Sequence, residues 1–393
     1  MNILILSTRI PYPLTAGFRI RIFNTAKHLK SAGHSVGLLQ LTSQEKSYDQ
    51  ELKDVFDYVE TIPLRKTEVI CNLLKCLFNH RRPFQVGLYQ NRLFSARLSV
   101  LSQDYDVVIA NHVRAAEYAK PLQGIKKILD MHDAISYTYQ NTIHHSNGIK
   151  RIIYRTEHKR LKAYERDIVN HFDRNIIISP VDKAYLEQLG AGPDKITIVP
   201  VAVRDDIAVR KSNYLKDQNK ICFLGKMSYQ PNEDAVLWFC RKVFPRLKLR
   251  IPELIFYIIG IEPTKKVCEL AKTEGIIITG FVENPFELIS RCIAMVAPIR
   301  SGAGMQNKVL ESMLVGTPTV ISSIAAEGLE GIAGRDFLLA ERPEDYLEKI
   351  LTLYHDPALR EKIGQNGQQL VENKYSWKVL SEKWVRIIQS VAG

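Results

Sequence analysis

The chain has 393 residues, of which 46% are hydrophobic and 24% charged, a balance ordinary for a soluble globular protein and a length sufficient for two domains. Its six cysteines include no Cys-x-x-Cys pair, which argues against structural zinc and a disulfide framework. No run of about eighteen apolar residues occurs, so we expect no transmembrane helix. The first residues also lack the basic region and cleavage site of a signal peptide, which favours a cytoplasmic protein.

The net charge is +12 and is unevenly distributed along the chain. Residues 1–200 carry 28 basic and 19 acidic side chains, whereas residues 201–393 carry 26 and 23. The first half is therefore expected to face something anionic, such as nucleic acid, an anionic membrane surface or a phosphorylated substrate. A solvated basic surface is the other interpretation of the same charge.

Short apolar runs that predict strands alternate with helical patterns in chain order. In the first half these runs are NILILS, SVGLLQL, YVETIPL, DVVIANH, KKILDMH, RNIIISP and KITIVPV. In the second half they are KICFLGK, LIFYIIG, GIIITGF, IAMVAPI and TPTVIS. Continuous apolar strands separated by helices predict parallel sheets covered on both faces. Two such sets predict an α/β protein with two Rossmann-like, doubly wound domains in tandem.

We expect the N-terminal domain to span residues 1–203 and the C-terminal domain to span residues 220–375. The polar stretch 204–219 is interpreted as the linker between them. Residues 376–393 form an amphipathic pattern with two tryptophans, Trp377 and Trp384, and are expected to make a helix that packs back toward the N-terminal domain.

Ligands of doubly wound sheets bind at the carboxyl ends of the strands, so the turns that follow strands deserve the closest inspection. The first such turn, STRIPYPLTAGFRIR, brings Gly17 to the start of a helix, where a backbone can approach a substrate closely. His112 and His132 each follow an apolar strand. A lone histidine is usually structural, and two at one sheet edge are more suggestive of function than one, although the structural interpretation stays open. No histidine spacing typical of a metal site occurs, and no metal is expected.

The segment CLFNHRRPFQVGLYQNRLFSARL interleaves arginines, including Arg81 and Arg82, with aromatic residues. This mixture is typical of nucleic-acid or membrane-interface surfaces. A basic helix pair packing on its own domain explains the same pattern equally well.

In the second half, the turn FLGKMSYQPNEDA brings Gly225 and Lys226 to the end of the first predicted strand, where a diphosphate could reach the lysine. A solvated lysine is the alternative. A later turn, RSGAGMQNKVLES, carries glycines at the end of a strand and then starts a helix. The free N–H groups of the first helical turn favour an anion, and Lys308 adds a positive charge there. Glu311 shares a helix face with Lys308 and is suited to accepting two ribose hydroxyl protons.

The chain resembles the retaining glycosyltransferases of family four, which have the two-domain GT-B architecture. The matching stretches are RIPYPLTAGFRIR, AYERDIVNHFDRNIIIS, GKMSYQPNEDAVLWF, IIITGFVENP and PIRSGAGMQNKVLESMLVGTP. The similarity spans nearly the whole chain and is greatest to the bacterial sugar transferases associated with exopolysaccharide and PEP-CTERM (EpsH-type) gene systems. It implies transfer of a sugar from a nucleotide-diphosphate sugar to a glycan or lipid-linked acceptor in cell-surface polysaccharide synthesis.

The resemblance also implies roles for particular residues. Glu311 matches the glutamate that holds the nucleotide ribose, and Lys226 matches the basic residue that binds the diphosphate. The segment from Gly280 to Val282, including Phe281, matches the edge that receives the base. Gly17 matches a glycine near the phosphates and acceptor, and His132 matches a histidine that contacts the transferred sugar. The remaining donor-binding candidates belong to the second glycine-rich turn: Gly302, Gly304, Met305, Gln306 and Asn307. On the acceptor side, the candidates are His112, Arg81 and Arg82.

Two departures from the family pattern stand out. The first glutamate of the family's pair is replaced by Ala303, and the second phosphate-binding lysine falls near Pro231 and Asn232. Our hypothesis is that Lys308 supplies the missing charge and that backbone amides of residues 304–306 take over the positioning role of the first glutamate.

Such a site needs no metal or other cofactor, because lysines and a helix N-terminus can neutralise the leaving diphosphate. We expect a hexosyltransferase-type enzyme with peripheral contact to the anionic inner face of the plasma membrane and no specific nucleic-acid partner. The alternatives are a nucleotide-sugar epimerase of the same architecture, a non-catalytic nucleic-acid-binding protein, and an inactive transferase.

Overall fold

The computed structural model describes residues 1–14, 16–43, 48–79, 82–144, 147–204, 207, 219–301 and 304–393. These residues form two compact units. The first contains Met1–Val201 and Trp377–Gly393, and the second contains Ala202–Ser376. Most of the predicted linker 204–219 lies outside the described residues, as do Arg81, Gly302 and Ala303.

The first unit contains one parallel sheet of seven strands in the order β3-β2-β1-β4-β5-β6-β7. Its strands are β1 (Asn2–Ser7), β2 (Ser35–Thr42), β3 (Tyr58–Pro63), β4 (Val107–Asn111), β5 (Lys126–His132), β6 (Arg174–Ile177) and β7 (Ile196–Ile198). Its α-helices are α1 (Gly17–Ser31), α2 (Asp49–Lys53), α3 (Lys66–Phe78), α4 (Phe84–Gly87), α5 (Arg92–Leu101), α6 (His112–Ala119), α7 (Ile135–His144), α8 (Gly148–Ile168), α9 (Pro180–Gln188) and, from the chain's end, α18 (Trp377–Ala392).

The second unit contains a parallel sheet of six strands in the order β10-β9-β8-β11-β12-β13. Its strands are β8 (Lys220–Leu224), β9 (Ile255–Ile259), β10 (Ile276–Gly280), β11 (Ala294–Ala297), β12 (Thr319–Ile321) and β13 (Leu338–Leu339). Its α-helices are α10 (Gln230–Lys242), α11 (Phe244–Arg250), α12 (Lys265–Glu269), α13 (Pro285–Arg291), α14 (Asn307–Leu314), α15 (Ser323–Ala326), α16 (Pro343–His355) and α17 (Pro357–Lys374).

Both sheets are buried on two faces, which explains why their central strands carry continuous apolar runs rather than alternating apolar and polar residues. In β11 all four residues are buried, and β4 is buried throughout. Each sheet has its own hydrophobic core. The predicted α/β architecture of two Rossmann-like domains is therefore confirmed.

The final helix belongs to the first unit. Trp377 is buried and its ring stacks on that of His28 in α1, with 5.4 Å between centroids. Trp384 is also buried, and the guanidinium carbon of Arg21 lies 5.8 Å from its ring centroid. The two tryptophans thus attach α18 to the face of α1 that turns away from solvent.

In each sheet the chain reverses its direction of winding between the first and fourth strands of that unit. In the first unit these strands are β1 and β4, and in the second they are β8 and β11. Crevices at the carboxyl ends of such strand pairs are where open α/β sheets bind ligands. No helix in the described part of the chain is long and apolar enough to cross a bilayer.

Candidate active site

The turn after β8 brings a lysine to the carboxyl edge of the second sheet. Gly225 donates its backbone N–H to the carbonyl of Ile259, and a Cβ at Gly225 would lie 2.6 Å from the side-chain nitrogen of Asn232. Gly260, with φ +147°, packs so closely that a Cβ there would lie 1.8 Å from the carbonyl oxygen of Gly225. Only glycines fit this contact, and it fixes the backbone that carries Lys226.

The Lys226 side chain is half exposed and forms an ion pair with Glu262, with 2.8 Å between Nζ and Oε2. The hydroxyl of Ser228 donates to the same carboxylate oxygen at 2.6 Å. Glu262 lies in the turn after β9 and has φ +54°, which is uncommon for a residue with a side chain. The carboxylate that neutralises Lys226 is therefore held by the turn of the neighbouring strand.

The ammonium group of Lys308 lies beneath the same turn. It donates a hydrogen bond to Oδ1 of Asn232 and lies 4.8 Å from the centroid of the Phe223 ring in β8. The side-chain nitrogen of Asn232 in turn donates to the carbonyl of Lys226 at 2.9 Å. Burial lowers the pKa of Lys308 to about 7, although the nearby carboxylate of Glu311 acts in the opposite direction. Lys226, Asn232 and Lys308 are thus joined into one cluster at the ends of β8 and β11.

Helix α14 presents the other donor-binding candidates. Gln306 precedes its first residue and donates its side-chain amide to the carbonyl of Gly304 at 3.1 Å. Gly304 has φ +86°, the left-handed conformation that the glycine-rich turn requires. Residues 304–308 and Glu311 are all partly exposed. Residues 304–306 of the loop and the first turn of α14 are therefore accessible at the carboxyl edge of the sheet.

The predicted base-binding edge follows β10. Gly280, its last residue, has φ +66°, and the Phe281 ring that comes next is 77% exposed. Val282 is partly buried against the core of the second unit. The segment therefore has an exposed aromatic ring and a left-handed turn at the end of β10, the strand next to β9.

In the first unit, Gly17 begins α1 and is exposed. The preceding loop is held by Arg19, whose guanidinium donates to the carbonyls of Tyr12 and Pro13 at 3.3 and 3.2 Å. The first helical turn of α1 contains no acidic residue. Its N–H groups are suitable for an anion or a hydroxyl group that approaches from the carboxyl edge.

His112 and His132 do meet at that edge, with 6.1 Å between ring centroids, and both have φ +68°. The side-chain amide of Asn111 lies 3.0 Å from Nε2 of His132 and donates to it, which leaves the ring proton on Nδ1. Burial lowers the pKa of His132 to about 4 and that of His112 well below 6.5. Both rings are therefore neutral at pH 7.

An ion pair that the sequence did not reveal lies behind His132. Asp130 in β5 is buried and accepts two hydrogen bonds of 2.8 Å from Arg21 of α1. Arg21 also donates to the carbonyls of Val199 and Pro200 at 3.0 and 3.1 Å. The positive field of Arg21 keeps the pKa of Asp130 low in spite of its burial. This network fixes β5, α1 and the chain after β7 around the histidine.

Two further arginines near His112 were also missed. Arg9 follows β1 and Arg114 lies in α6, and the positive charges of both act on the imidazole of His112. Arg114 donates to Gln85 at 2.9 Å and lies 4.9 Å from the Tyr89 ring centroid. The position of Arg9 directly after a strand was the available signal. Arg82 instead forms an ion pair of 3.8 Å with Glu117, and Arg81 lies outside the described residues.

Two protein-family models match the chain, one in each half. A model described as glycosyltransferase family 4 matches residues 16–206, and one described as glycosyl transferases group 1 matches residues 218–356. Between them the two models span most of both units. Both models describe glycosyltransferases, and the chain is a glycosyltransferase. The GT-B fold that the family resemblance predicted is also confirmed, because solved structures of this architecture are similar to the transferase over nearly its whole length.

Among curated proteins, the transferase is 25% identical to an uncharacterized 44.6 kDa protein in the cps region of Klebsiella pneumoniae, covering 96% of this chain and 97% of that protein. It is 26% identical to CapM of Staphylococcus aureus, a capsular polysaccharide biosynthesis glycosyltransferase, over 29% of this chain and 30% of CapM. Among solved structures, HepE of Anabaena in complex with UDP is similar with a TM-score of 0.69 and 14% identity, covering 99% of this chain and 100% of HepE.

Proposed function

We propose that the transferase moves a hexose from a nucleoside-diphosphate sugar to a glycan or lipid-linked acceptor, with retention of anomeric configuration, in bacterial surface polysaccharide synthesis. Two relatives support the pathway, because one lies in a cps region and CapM is a capsular polysaccharide biosynthesis glycosyltransferase. HepE is known in complexes with UDP and UDP-glucose, which supports a sugar-nucleotide donor.

The observation that carries the proposal is the hydrogen bond between Lys308 and Asn232. The resemblance to the family assigns a second phosphate-binding lysine to the region of Asn232, and the ammonium group found there belongs to the neighbouring helix α14. With Lys226 at the end of β8, the second unit has two lysines with which to bind one diphosphate. A diphosphate bound here would release Lys226 from Glu262 and favour the charged form of Lys308.

The other candidates have corresponding roles in this proposal. Glu311 accepts the ribose hydroxyl protons, and the backbone amides of residues 304–306 position the phosphates in place of the glutamate that Ala303 replaces. Phe281 and Val282 receive the base. Gly17 offers its N–H to the phosphates or acceptor, and neutral His132 donates from Nδ1 to a hydroxyl group of the transferred sugar.

For the transfer itself we propose front-face attack. The bond from the anomeric carbon to the leaving phosphate oxygen breaks, and the acceptor oxygen bonds to the anomeric carbon on the same face. The acceptor's hydroxyl proton passes to the departing phosphate, so the products are a glycoside and a nucleoside diphosphate. Lys226, Lys308 and the α14 amides neutralise the leaving group, and we propose that no metal is required.

The test begins with a thermal-shift panel of uridine, guanosine, adenosine and cytidine diphosphates and their sugars, because ligand binding raises the melting temperature by mass action. The effective donor is then incubated with lipid-phosphate-linked glycans, with and without EDTA, and the anomeric coupling of the product is read by NMR. We expect one nucleotide class to stabilise the protein and an α-linked donor to give an α-linked product. Stabilisation by no nucleotide, or equal stabilisation of Lys308→Ala, would contradict the proposal.

We also propose that the enzyme works at the cytoplasmic face of the plasma membrane, where a lipid-linked acceptor is presented. Support comes from the basic surplus of residues 1–200.

A further inference from the structure

Two buried carboxylates hold the backbone that follows His132. In α8, the carboxylate of Glu165 accepts hydrogen bonds from the hydroxyl of Ser136 and from its backbone N–H, the latter at 3.3 Å. In α9, Asp182 accepts one from the backbone N–H of Ala134 at 3.0 Å. Glu165 is fully buried and Asp182 is 4% exposed. Because Ala134 is only two residues beyond His132, the chain that leaves the histidine is attached to two helices at once.

Other polar groups fix the two contacts in turn. The hydroxyl of Ser179, the residue before α9, donates to Asp182 at 2.5 Å. The hydroxyls of Tyr185 and Ser136 lie 2.9 Å apart, and Nδ1 of His158 donates to the carbonyl of Ser136 at 2.8 Å. The segment therefore meets side chains of α8 and α9 whose own positions are determined.

The start of a helix does not by itself need these carboxylates. Helix α7 begins at Ile135, and Ala134 before it has no side chain that could cap the helix. A serine or asparagine there would satisfy the amides locally, whereas burying a carboxylate without a cation is expensive. None of the described residues forms an ion pair with Glu165 or Asp182. Burial raises the pKa of Glu165 to about 7 and raises that of Asp182 as well. What the carboxylates add is attachment of this segment to α8 and α9.

The residue that depends on this attachment is His132. It has φ +68°, an uncommon conformation for a residue with a side chain, and β5 changes register against β6 just before it. Such a conformation persists only where the surrounding contacts over-determine it. On one side, the N–H of Ile178 donates to the carbonyl of His132 at 2.9 Å. On the other side, the backbone is held by Glu165 and Asp182.

We propose that Glu165 and Asp182 are positioning residues for sugar transfer. Through the amides of Ala134 and Ser136 they hold His132 at the carboxyl end of β5, where its ring meets the transferred sugar. A group that contacts the reacting sugar must be held to within a fraction of an ångström, and buried side chains behind it supply that precision. The inference deepens the proposed function and rests on it only for the contact between His132 and the sugar.

Burial and hydrogen bonding exclude two other roles for these groups. A general base must come within hydrogen-bond reach of the acceptor hydroxyl, and Glu165 is fully buried beneath Ser136. The free N–H groups at a helix start often bind phosphate, but those at the start of α7 are already occupied by Asp182 and Glu165. A role in stability alone is separated from positioning by the test.

The test is a double-mutant cycle on the full-length protein. Its substrates are the sugar nucleotide that gives the largest thermal shift and the lipid-phosphate-linked glycan that accepts its sugar. We expect Glu165→Ala, and likewise Asp182→Ala, to lower kcat by about a hundredfold, because a contact displaced by about an ångström costs this much. The dissociation constant of the nucleoside diphosphate should not change. In a His132→Ala background, Glu165→Ala should change kcat by less than about twofold, because the residue that it positions is gone.

The matched control is Glu157→Ala in the same helix. Glu157 is 2% exposed and accepts a hydrogen bond from the backbone N–H of Gln85 at 3.2 Å, but it holds α4 and not the segment after His132. We expect it to lower the free energy of unfolding as Glu165→Ala does, and to leave kcat as in the wild type. Glu165→Gln keeps an acceptor oxygen for the amides and should recover most of kcat. Together with Asp182→Asn it preserves the comparison if the alanine variants do not fold.

A second measurement needs no substrate. NMR of protein labelled with ¹⁵N in the histidine rings reports the tautomer and mobility of His132, whose signals are assigned by their loss in His132→Gln. We expect one sharp set of signals at pH 7 in the wild type and in Glu157→Ala. In Glu165→Ala the same signals should shift and broaden, because the ring samples more than one position.

Three outcomes would overturn the inference. They are an equal loss of kcat from Glu165→Ala with and without His132, a loss in Glu157→Ala as large as in Glu165→Ala, and an unchanged His132 signal in Glu165→Ala. Wild-type kcat in His132→Ala would overturn both the inference and the role of that histidine in the proposed function. A protein that no nucleotide stabilises would instead refute the proposed donor site, and the NMR signals of His132 would still decide the inference.

Discussion

The ammonium group of Lys308 is hydrogen-bonded to the side-chain oxygen of Asn232, a residue 76 positions earlier in the chain. Asn232 lies in α10, the helix that follows β8, and Lys308 lies in α14, the helix that follows β11. The strands β8 and β11 are neighbours in the sheet. The second cation that the family pattern would place after Lys226 is therefore available from helix α14, which follows β11.

Removal of this cation should weaken catalysis more than folding. We expect Lys308→Ala to lower kcat/KM by about a hundred- to a thousandfold, the usual effect of losing one group that stabilises developing negative charge. Lys349→Ala, in α16 of the same unit, is the matched control and should leave the kinetics unchanged. Activity of Lys308→Ala within a few-fold of wild type would show that Lys226 and the backbone amides suffice.

Donor affinity should fall as the pH rises above neutrality. Burial lowers the pKa of Lys308 to about 7, so the free protein loses this positive charge as the pH passes through 7. The diphosphate of a sugar nucleotide binds the charged form and must restore the proton. Calorimetry should show the dissociation constant rising by up to about tenfold per pH unit above 7. Lys308→Arg, whose guanidinium stays charged, should give a flat profile; a slope equal to that of wild type would assign the titration elsewhere.

Glu311 should discriminate between nucleotides by their ribose hydroxyls. We expect Glu311→Ala to weaken the wild-type affinity for the preferred nucleoside diphosphate by about ten- to a hundredfold, because it removes hydrogen bonds to a charged acceptor. The same substitution should change the affinity for the 2′,3′-dideoxy analogue little, because that analogue has no ribose hydroxyls to donate. If both nucleotides lose affinity equally, the carboxylate acts on the position of α14 and not on the ribose.

The buried ion pair between Arg21 and Asp130 should be important for the stability of the first unit. Asp130→Ala leaves a guanidinium buried without its counter-charge, and we expect it to lower the free energy of unfolding by about 3–5 kcal/mol. Lys30→Ala, which breaks the exposed pair with Asp57, should cost less than about 1 kcal/mol. Urea denaturation of both variants makes the comparison, and similar losses would contradict the structural role of the buried pair.

Acid should destabilise the protein partly through His132. Its pKa is about 4 in the folded protein and 6.5 when unperturbed, so between these values the unfolded chain takes up the proton first. The neutral His132 ring contributes fully to the free energy of unfolding above pH 6.5. This contribution decreases by at most about 3 kcal/mol as the pH falls toward 4. His132→Gln should flatten this part of the stability profile, whereas His355→Gln, at an exposed position, should not. Identical profiles for wild type and His132→Gln would refute this account.

Much of the fold could be predicted because continuous apolar runs and helical periods are local properties of the chain. The turns after strands could also be located, since parallel strands end at a common edge, and this brought Lys226, Lys308, His112 and His132 into consideration. The same information placed Arg9 just after a strand, but it could not show that Arg9 and Arg114 lie beside His112, because that proximity depends on which strands are neighbours. Nor could it show that Arg21 and Asp130, 109 positions apart, form a buried pair.

Helix α3 shows where local pattern reaches its limit. Its spacing of Ile70, Leu73, Leu74, Leu77 and Phe78 is the spacing of a core-facing helix, and a periodic pattern does not state which way the apolar side turns. The sequence by itself determined two doubly wound parallel sheets and the turns that carry the candidate residues, because burial on both faces demands apolar strands. Only the tertiary structure decided that Lys308 meets Asn232 and that the apolar side of α3 faces outward. Both depend on contacts between separate segments of the chain: Asn72 of α3 donates a hydrogen bond to the carbonyl of Gln90, and Lys308 donates one to Asn232.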